Sequence, residues 1–417
     1  MSHQKLDRQA RVALTLTGFY WAAESLCAIF VSVFLLRTGR DFITVFKFYT
    51  AVYAVTPLVF LLAGWYAQAR DRLHTYRLGL AMHAVYYGSL LVLRERAPEY
   101  AVLLGVLLGV TWGCFHAGAN TITFDVTSKG RREYYFGMLS AVTSAFQLVA
   151  PLVGGLIIRY SPGDHLAGYY RVFAVVVVLY VCSFAMTFLM PPDGERRPYN
   201  IRRALFPGKD QRDWRLVMLA SASMAGSFSI FQFLLGMLMY TQTNNELSVG
   251  TFASYQAVVG IVMAYGLGRT IAPRLWKRCL FWGTVILVAG GLVICWKLSA
   301  LTLIVFGFTR TVSGVLIGIP HNSMRFEVIS KSVQNPAQRI EYISAWEVPL
   351  AIGRLIMMSI LMGLYSLGST LGLQVALLLL CAIRILTYWL LTSTDTVRAA
   401  CEPTKEEAPS AQAQPEG

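Results

Sequence analysis

Twelve runs of predominantly apolar residues dominate the chain, at about 12–36, 43–66, 76–93, 101–124, 135–159, 168–190, 215–240, 249–268, 278–296, 299–322, 340–365 and 371–393. A helix of roughly 20 residues crosses a ~30 Å hydrocarbon layer. Inside hydrocarbon the backbone must satisfy itself, which leaves only helices and closed barrels. The runs are continuous rather than alternating, so they predict an all-α polytopic membrane protein. Composition agrees, because only 14% of the residues are charged where a soluble domain carries roughly 25%. The count of twelve depends on splitting 278–322 at the short "KLSA" segment beginning at Lys297. The first run is too long for the apolar core of a signal peptide, and no small-residue cleavage site follows it, so it reads as a retained first span.

The net charge of +14 would suggest nucleic acid in a soluble protein. Here its placement points to membrane orientation instead. With a cytoplasmic N-terminus, about 25 Lys and Arg fall in inner segments and about 7 in outer loops, which predicts both termini inside a cytoplasmic (inner) cell membrane. The longest inner loop, "PPDGERRPYNIRRALFPGKDQRDWR" from Pro191 to Arg215, carries seven basic residues. It divides the chain into a six-span unit at 1–190, a basic loop at 191–214 and a second six-span unit at 215–393. The remaining 394–417, rich in Pro, Ala, Gln and Glu, is expected to be disordered.

Part of the chain is repeated. "NTITFDVTSK" at Asn120 returns as "NSMRFEVISK" at Asn322, and "GWYAQARDR" at Gly64 is matched by "GRTIAPRLWKR" at Gly268. Two landmarks at nearly one offset indicate a duplicated six-helix unit, related by a pseudo-twofold axis along the membrane normal. Twelve spans, a basic central loop and Gly…Arg segments after spans two and eight resemble the major facilitator superfamily over about residues 10–393. The sequence departs from that family's loop motif, because Gln68 stands where an acid is usual. "APLVGG" at Ala150–Gly155 is similar to a motif of drug/proton antiporters, and "RTVSG" at Arg310 resembles their Arg-x-x-x-Gly motif, here in span ten.

Ionisable residues at membrane depth are costly and usually functional. Glu24 lies near the middle of span one and is the candidate proton-coupling group. Arg310, near the middle of span ten, keeps its charge and therefore needs an anion, whether Glu24, another acid or the substrate. Trp112, His116 and Asn120 share one broad face of span four, and Phe228 and Gln232 are one turn apart in span seven. The resemblance implies that spans one, four, seven and ten line the transport cavity. Glu347 and Arg354 are seven residues apart on one face of span eleven, a structural or gating pair. By likeness to sugar porters of the superfamily, Asp125 and Glu327 are expected to clamp the cytoplasmic side against Arg70, Arg72, Arg274 and Lys277. Gly64 and Gly268 belong to the same loops.

Seven cysteines are scattered without a CxxC pair and read as small buried hydrophobes. The six histidines form no metal-binding or catalytic box, and no phosphate-binding Gly-x-x-x-x-Gly-Lys loop is present. No cofactor, metal, enzymatic activity or nucleic-acid partner is expected, and the chain is expected to act as a monomer. The resemblance implies a secondary transporter of a small organic solute that works by alternating access. Glu24 points to proton coupling, and "APLVGG" leans towards efflux of an amphipathic compound. A lipid flippase on the same fold, or an uptake symporter for an organic anion or zwitterion, are the alternatives.

Overall fold

The computed structural model describes residues 8–126, 132–164, 166–190, 199–333 and 338–401, and all regular structure among them is helical. In chain order the helices are α1 (Arg8–Gly39), α2 (Phe42–Ala69), α3 (Arg72–Leu93), α4 (Ala101–Val126), α5 (Arg132–Tyr160), α6 (Ala167–Met186), α7 (Arg202–Leu205), α8 (Arg212–Thr243), α9 (Glu246–Thr270), α10 (Trp276–Trp296), α11 (Ala300–Ser332), α12 (Arg339–Leu367), α13 (Ser369–Thr392) and α14 (Asp395–Cys401). Eleven helical stretches among the described residues are long and apolar enough to cross a membrane. One of them, Arg72–Ala119, is 48 residues long. It contains α3 and most of α4, which pack on each other and are joined by a 3₁₀ turn at Arg94–Tyr100.

The duplication recurs in the helix boundaries. Helices α1 and α8 are both 32 residues long and begin at Arg8 and Arg212; α2 and α9 begin at Phe42 and Glu246, α3 and α10 at Arg72 and Trp276. Each pair of starts is 204 residues apart, the same offset as Gly64 and Gly268. Short connections between these helices are set by side-chain caps. Asp41, Asp71 and Asn245 accept the backbone N–H two residues on, and Ser299 forms a capping box with Thr302.

Large apolar side chains such as Val92, Leu103, Val178, Leu292 and Leu371 are exposed. On a water-soluble protein such surface is a liability; here it is what lipid requires. Trp65, Trp282, Trp296 and Trp389 are exposed near helix ends, where indole rings meet the headgroup layer.

Helices before residue 190 pack mainly among themselves, as do those after 211 except α9, which packs most on α5, and the two sets meet through α5–α9, α2–α12 and α1–α8. Close approach inside the first set depends on a glycine ladder on α4. A Cβ at Gly105 would lie 2.3 Å from the Phe48 carbonyl oxygen, and one at Gly113 2.7 Å from Val59 Cβ. With Gly109 between them these glycines are spaced i, i+4, i+8, which lets α2 backbone lie directly on α4.

Two sequence expectations change. Helix α11 continues to Ser332, ten residues past its predicted end, so the second copy of the repeated stretch is helical throughout. The tail is ordered at its start rather than disordered, because Asp213 of α8 accepts the Asp395 and Thr396 backbone N–H groups, both at 2.9 Å, and so caps α14. Arg212 adds an ion pair to Asp395 at 2.8 Å. Residues 402–417 lie outside the described residues.

Replacing Gly105 with Leu should lower thermal stability by at least ~1–3 kcal/mol or abolish folded yield, because an overpacked backbone contact cannot relax cheaply. Gly266→Ala, where a Cβ would meet no described atom within 4 Å, should stay within about 0.5 kcal/mol of the parent protein. Fluorescence-detected thermal unfolding in detergent distinguishes the two.

Candidate functional site

The middle of α8 carries Ser227, Phe228 and Ser229 in succession, and successive residues on a helix point about 100° apart. Each touches a different arginine. Arg384 of α13 donates from Nε to Ser227 Oγ at 2.8 Å. Arg354 of α12 donates from Nε to Ser229 Oγ at 3.0 Å. Arg310 of α11 lies against Phe228, its guanidinium carbon 5.5 Å from the ring centroid, with a long contact of 3.5 Å to the Phe228 carbonyl. Arg310 also donates to Gln256 Oε1 of α9 at 3.0 Å. One turn of helix is thus surrounded by three guanidiniums.

These charges are poorly balanced. Arg354 has Glu347 at 3.8 Å and the Tyr53 ring of α2 at 5.7 Å. Among the described residues no carboxylate lies within 4 Å of Arg310 or Arg384. Arg384 is only 4% exposed. Arg325, nearer the end of α11, stacks over the Trp346 ring at 3.8 Å without a carboxylate within 4 Å among those residues. Phe228 is 48% exposed beside Arg310, and Gln232, one turn on, is exposed as well.

Glu24 occupies a separate cluster of α1, α3 and α6. Tyr180 donates its hydroxyl to Glu24 Oε2 at 3.1 Å. Tyr180 stacks on His83 with ring centroids 4.7 Å apart, and Tyr20 meets His83 edge-on at 5.5 Å. His83 Nδ1 is 2.7 Å from the Gly79 carbonyl, so Nδ1 carries the proton and Nε2 presents a lone pair. That Nε2 is buried with no partner among the described residues. No ion pair joins Glu24 to Arg310; each is held within its own set of helices.

Of the residues singled out from the sequence, Arg310 and Phe228 are brought together, and Glu347 with Arg354. His116 sits beside Phe115 and Tyr20, at 5.2 and 6.3 Å between ring centroids. Trp112 buries its Nε1 without a partner among the described residues. Asn120 and Asp125 lie outside the residues whose side chains are described. The expected clamp partner Glu327 is ion-paired with Lys331 of its own helix at 2.7 Å, an exposed pair produced by the unexpected continuation of α11. Arg70 ends α2, its backbone N–H bonded to the Tyr66 carbonyl, and Arg274 lies in the 3₁₀ turn Pro273–Leu275 before α10. Gly64 faces Tyr199 and Ser344, whereas a Cβ at Gly268 would meet no described atom.

Sequence reasoning missed the contact that closes one end of the molecule. Arg37, at the end of α1, forms an ion pair with Glu246, at the start of α9. The Tyr169 hydroxyl donates to the same Glu246 oxygen at 3.2 Å, and Glu246 is 4% exposed. Beside the pair, a Cβ at Gly155 would lie 2.9 Å from the Glu246 carbonyl oxygen and one at Gly250 2.3 Å from the Pro151 carbonyl oxygen. The "APLVGG" segment is therefore a backbone-to-backbone contact of α5 with α9. Phe46 and Tyr365 pack edge-on at 5.7 Å on the α2–α12 side. Towards the opposite end, which bears α7 and α14, Gly137, Gly266, Gly268, Gly314 and Gly318 have no described atom within 4 Å of an added Cβ. The two helix sets are joined at the α1–α2 end, and α2 also meets α12 towards the linker end, where a Cβ at Gly64 would lie 3.5 Å from Ser344 Oγ.

The family model described as Major Facilitator Superfamily matches residues 14–337. A Bacillus subtilis (strain 168) protein described as "Uncharacterized protein YqgE" is 27% identical over 343 residues, covering 82% of this chain and 79% of that protein. Among solved structures, a peptide transporter POT in complex with sulfate superposes with a TM-score of 0.72 at 12% identity, over 93% of this chain and 95% of that one. A bacterial homologue of the iron transporter ferroportin, in an inward-facing state, gives 0.71 at 16% identity, over 93% and 98%. At such identities the likeness is one of fold.

Tyr180→Phe removes the hydroxyl that donates to half-buried Glu24 and should cost ~1–3 kcal/mol of stability. In combination with Glu24→Gln the two losses should be non-additive by at least ~0.5 kcal/mol in a double-mutant cycle. Strict additivity in thermal unfolding would show that the 3.1 Å contact carries no energy.

Proposed function

The chain belongs to the major facilitator superfamily, and from that premise we propose that it is a secondary active transporter moving a small organic solute by alternating access. On this reading the long helices count as twelve spans in two six-helix bundles, 1–190 and 215–393, joined by the 191–214 loop and followed by the 394–417 tail. The linker end is the cytoplasmic end, as the excess of Lys and Arg there favours in an inner cell membrane. The observation that carries the proposal is the one-sided closure. The bundles touch at the α1–α2 end through Arg37–Glu246, Gly155, Gly250 and Tyr365, a closure built from an ion pair and close helix approach. On this reading the α1–α2 end is the closed side of the transport cycle, and rocking of the bundles opens it while closing the linker end.

Glu24 is the proton-coupling group in this scheme. It is half-buried, held by one tyrosine hydroxyl and free of any arginine among the described residues, so protonation changes its charge without breaking an ion pair. On this reading His116 and Trp112 of span four, with Asn120, whose side chain lies outside the described residues, and Phe228 and Gln232 of span seven contribute to the substrate pathway. Asp125 and Glu327, with Arg70 and Arg274, form the cytoplasmic gate only in the outward-open state, which is consistent with Glu327 being turned to Lys331 here. The lean towards export rests on the likeness of "APLVGG" to an antiporter motif alone, because its α5–α9 contact sets no direction.

In proteoliposomes Glu24→Gln should abolish pH-gradient-driven accumulation while counterflow exchange persists; accumulation equal to that of the parent would remove Glu24 from the coupling role.

Glu246→Gln leaves Arg37 without its carboxylate and should shift the inward/outward ratio at least tenfold, about 1.4 kcal/mol, towards outward-open. Spin-label distances between the α1–α2 and α8–α9 connections report it, and an unchanged distribution would show that this pair does not set the balance.

A further inference from the structure

We propose that the transported solute is an organic anion with an apolar body, and that Arg310, assisted by Gln256 and Phe228, is its recognition site. The inference rests on the transporter reading and names its substrate class. Its basis is the unbalanced charge around one turn of α8. Arg384, Arg310 and Arg354 contact Ser227, Phe228 and Ser229 in turn, and Glu347 is the one carboxylate within 4 Å of any of the three among the described residues. Arginine does not discharge when buried, so the turn holds two positive charges that only neutral dipoles solvate. A charge in that condition costs several kcal/mol unless an anion joins it, and it makes the adjoining space electropositive.

The three arginines are not equivalent. Arg384 is buried behind α8 and spends its Nε on Ser227. Arg354 already has Glu347 and Ser229. Arg310 is half-buried, and its described contacts, to Gln256 and the Phe228 carbonyl, use two of its five N–H donors. Arg384 has donors left too but is 4% exposed, so the Arg310 fork is the one a carboxylate, phosphate or sulfonate can reach, groups that guanidinium binds in a bidentate manner. Gln256 accepts from one Nη and so fixes the plane of the fork. Phe228, 48% exposed at 5.5 Å from the guanidinium carbon, supplies an apolar wall next to the charge, and Gln232 adds an exposed amide one turn on. A cation would be repelled by this site. A neutral sugar would leave the charges uncompensated and find an aromatic face with few polar partners. An anion carrying an aromatic or aliphatic body satisfies both the fork and the wall.

The test uses the full chain purified in detergent, with phenyl phosphate and benzoate as anionic probes, benzamide as the neutral one and benzylamine as the cation. Ligands that bind only the folded state raise the unfolding temperature by mass action. The anions should raise it in a concentration-dependent way and the neutral and cationic probes should not. Arg310→Gln should weaken phenyl phosphate binding at least tenfold, and Arg310→Lys should retain part of it. The ligand-free unfolding temperature of Arg310→Gln should equal or exceed that of the parent, since an uncompensated charge has been removed. A structural arginine would show the opposite, and a fall in that temperature together with an intact anion response overturns the proposal. So does equal stabilisation by benzamide or benzylamine, or no response to any anion. Nanodiscs of phosphatidylglycerol and of phosphatidylcholine separate a soluble solute from a lipid headgroup. Stabilisation by phosphatidylglycerol that neither soluble anion reproduces overturns the assignment to a soluble solute. Spin-label distances across both ends keep the two readings apart. Ends that exchange without anion binding disprove the substrate class alone, whereas ends that never exchange disprove alternating access itself.

Discussion

Hydrocarbon offers the backbone no partner but itself, and the rest of this structure follows from that constraint. Once every span is a helix, the remaining freedom is how closely helices approach. Small residues decide that here. Gly105, Gly109 and Gly113 bring α4 onto α2 within one bundle, and Gly155 and Gly250 bring α5 onto α9 between bundles. The two uses differ in consequence. The α2–α4 contact is repeated at three glycines over about two helical turns and is built into the bundle. The α5–α9 contact involves helices whose carbonyls are already bonded within their own turns, so it can separate without leaving backbone groups unsatisfied. What adds a barrier to separation is the Arg37–Glu246 pair and the Tyr169 hydroxyl that joins it.

Charge at depth is handled in two contrasting ways. Glu24 accepts a hydrogen bond from the Tyr180 hydroxyl in a cluster with Tyr20 and His83, and no arginine among the described residues fixes its charge. The arginines near α8 cannot change state, so serine hydroxyls, a glutamine amide and aromatic faces share their solvation. Glu347 balances one of them. This division places the variable charge in the first bundle and the permanent charge in the second.

The sequence made the spans legible because a run of about 20 apolar residues has few physical interpretations, and the repeat was legible because its landmarks kept their order. Glu24, Arg310 and Arg354 stood out because a lone charge in an apolar run is costly. Arg384 is a lone charge of the same kind, but the turn that unites it with Arg310 and Arg354 was not legible, since Ser227 and Ser229 are common small residues whose meaning comes from helices 80 to 160 positions away. Arg37 and Glu246 were hidden for a different reason: both sit where a span meets a loop, where charged residues are expected to be solvated. The order of α14 was hidden because its cap, Asp213, is supplied from another helix. The glycine ladder of α4 was readable in principle from its i, i+4, i+8 spacing, yet the residues it faces on α2 cannot be inferred from spacing alone.

The duplicated frame gives these placements a further meaning. Glu24 is the seventeenth residue of α1 and Phe228 the seventeenth of α8. Tyr180 and Arg384, again 204 apart, each reach back to that level, to Glu24 and to Ser227. At corresponding points the first bundle carries an acid met by a phenol and the second a turn met by guanidinium. If the solute is an anion, the ionised Glu24 opposes its entry across the cavity, and protonation of Glu24 removes that opposition. Binding of anion and proton then become mutually favourable by linkage, each raising the affinity for the other. Coupling of this kind requires no direct contact between the two sites, which accords with the absence of an ion pair between Glu24 and Arg310 among the described residues.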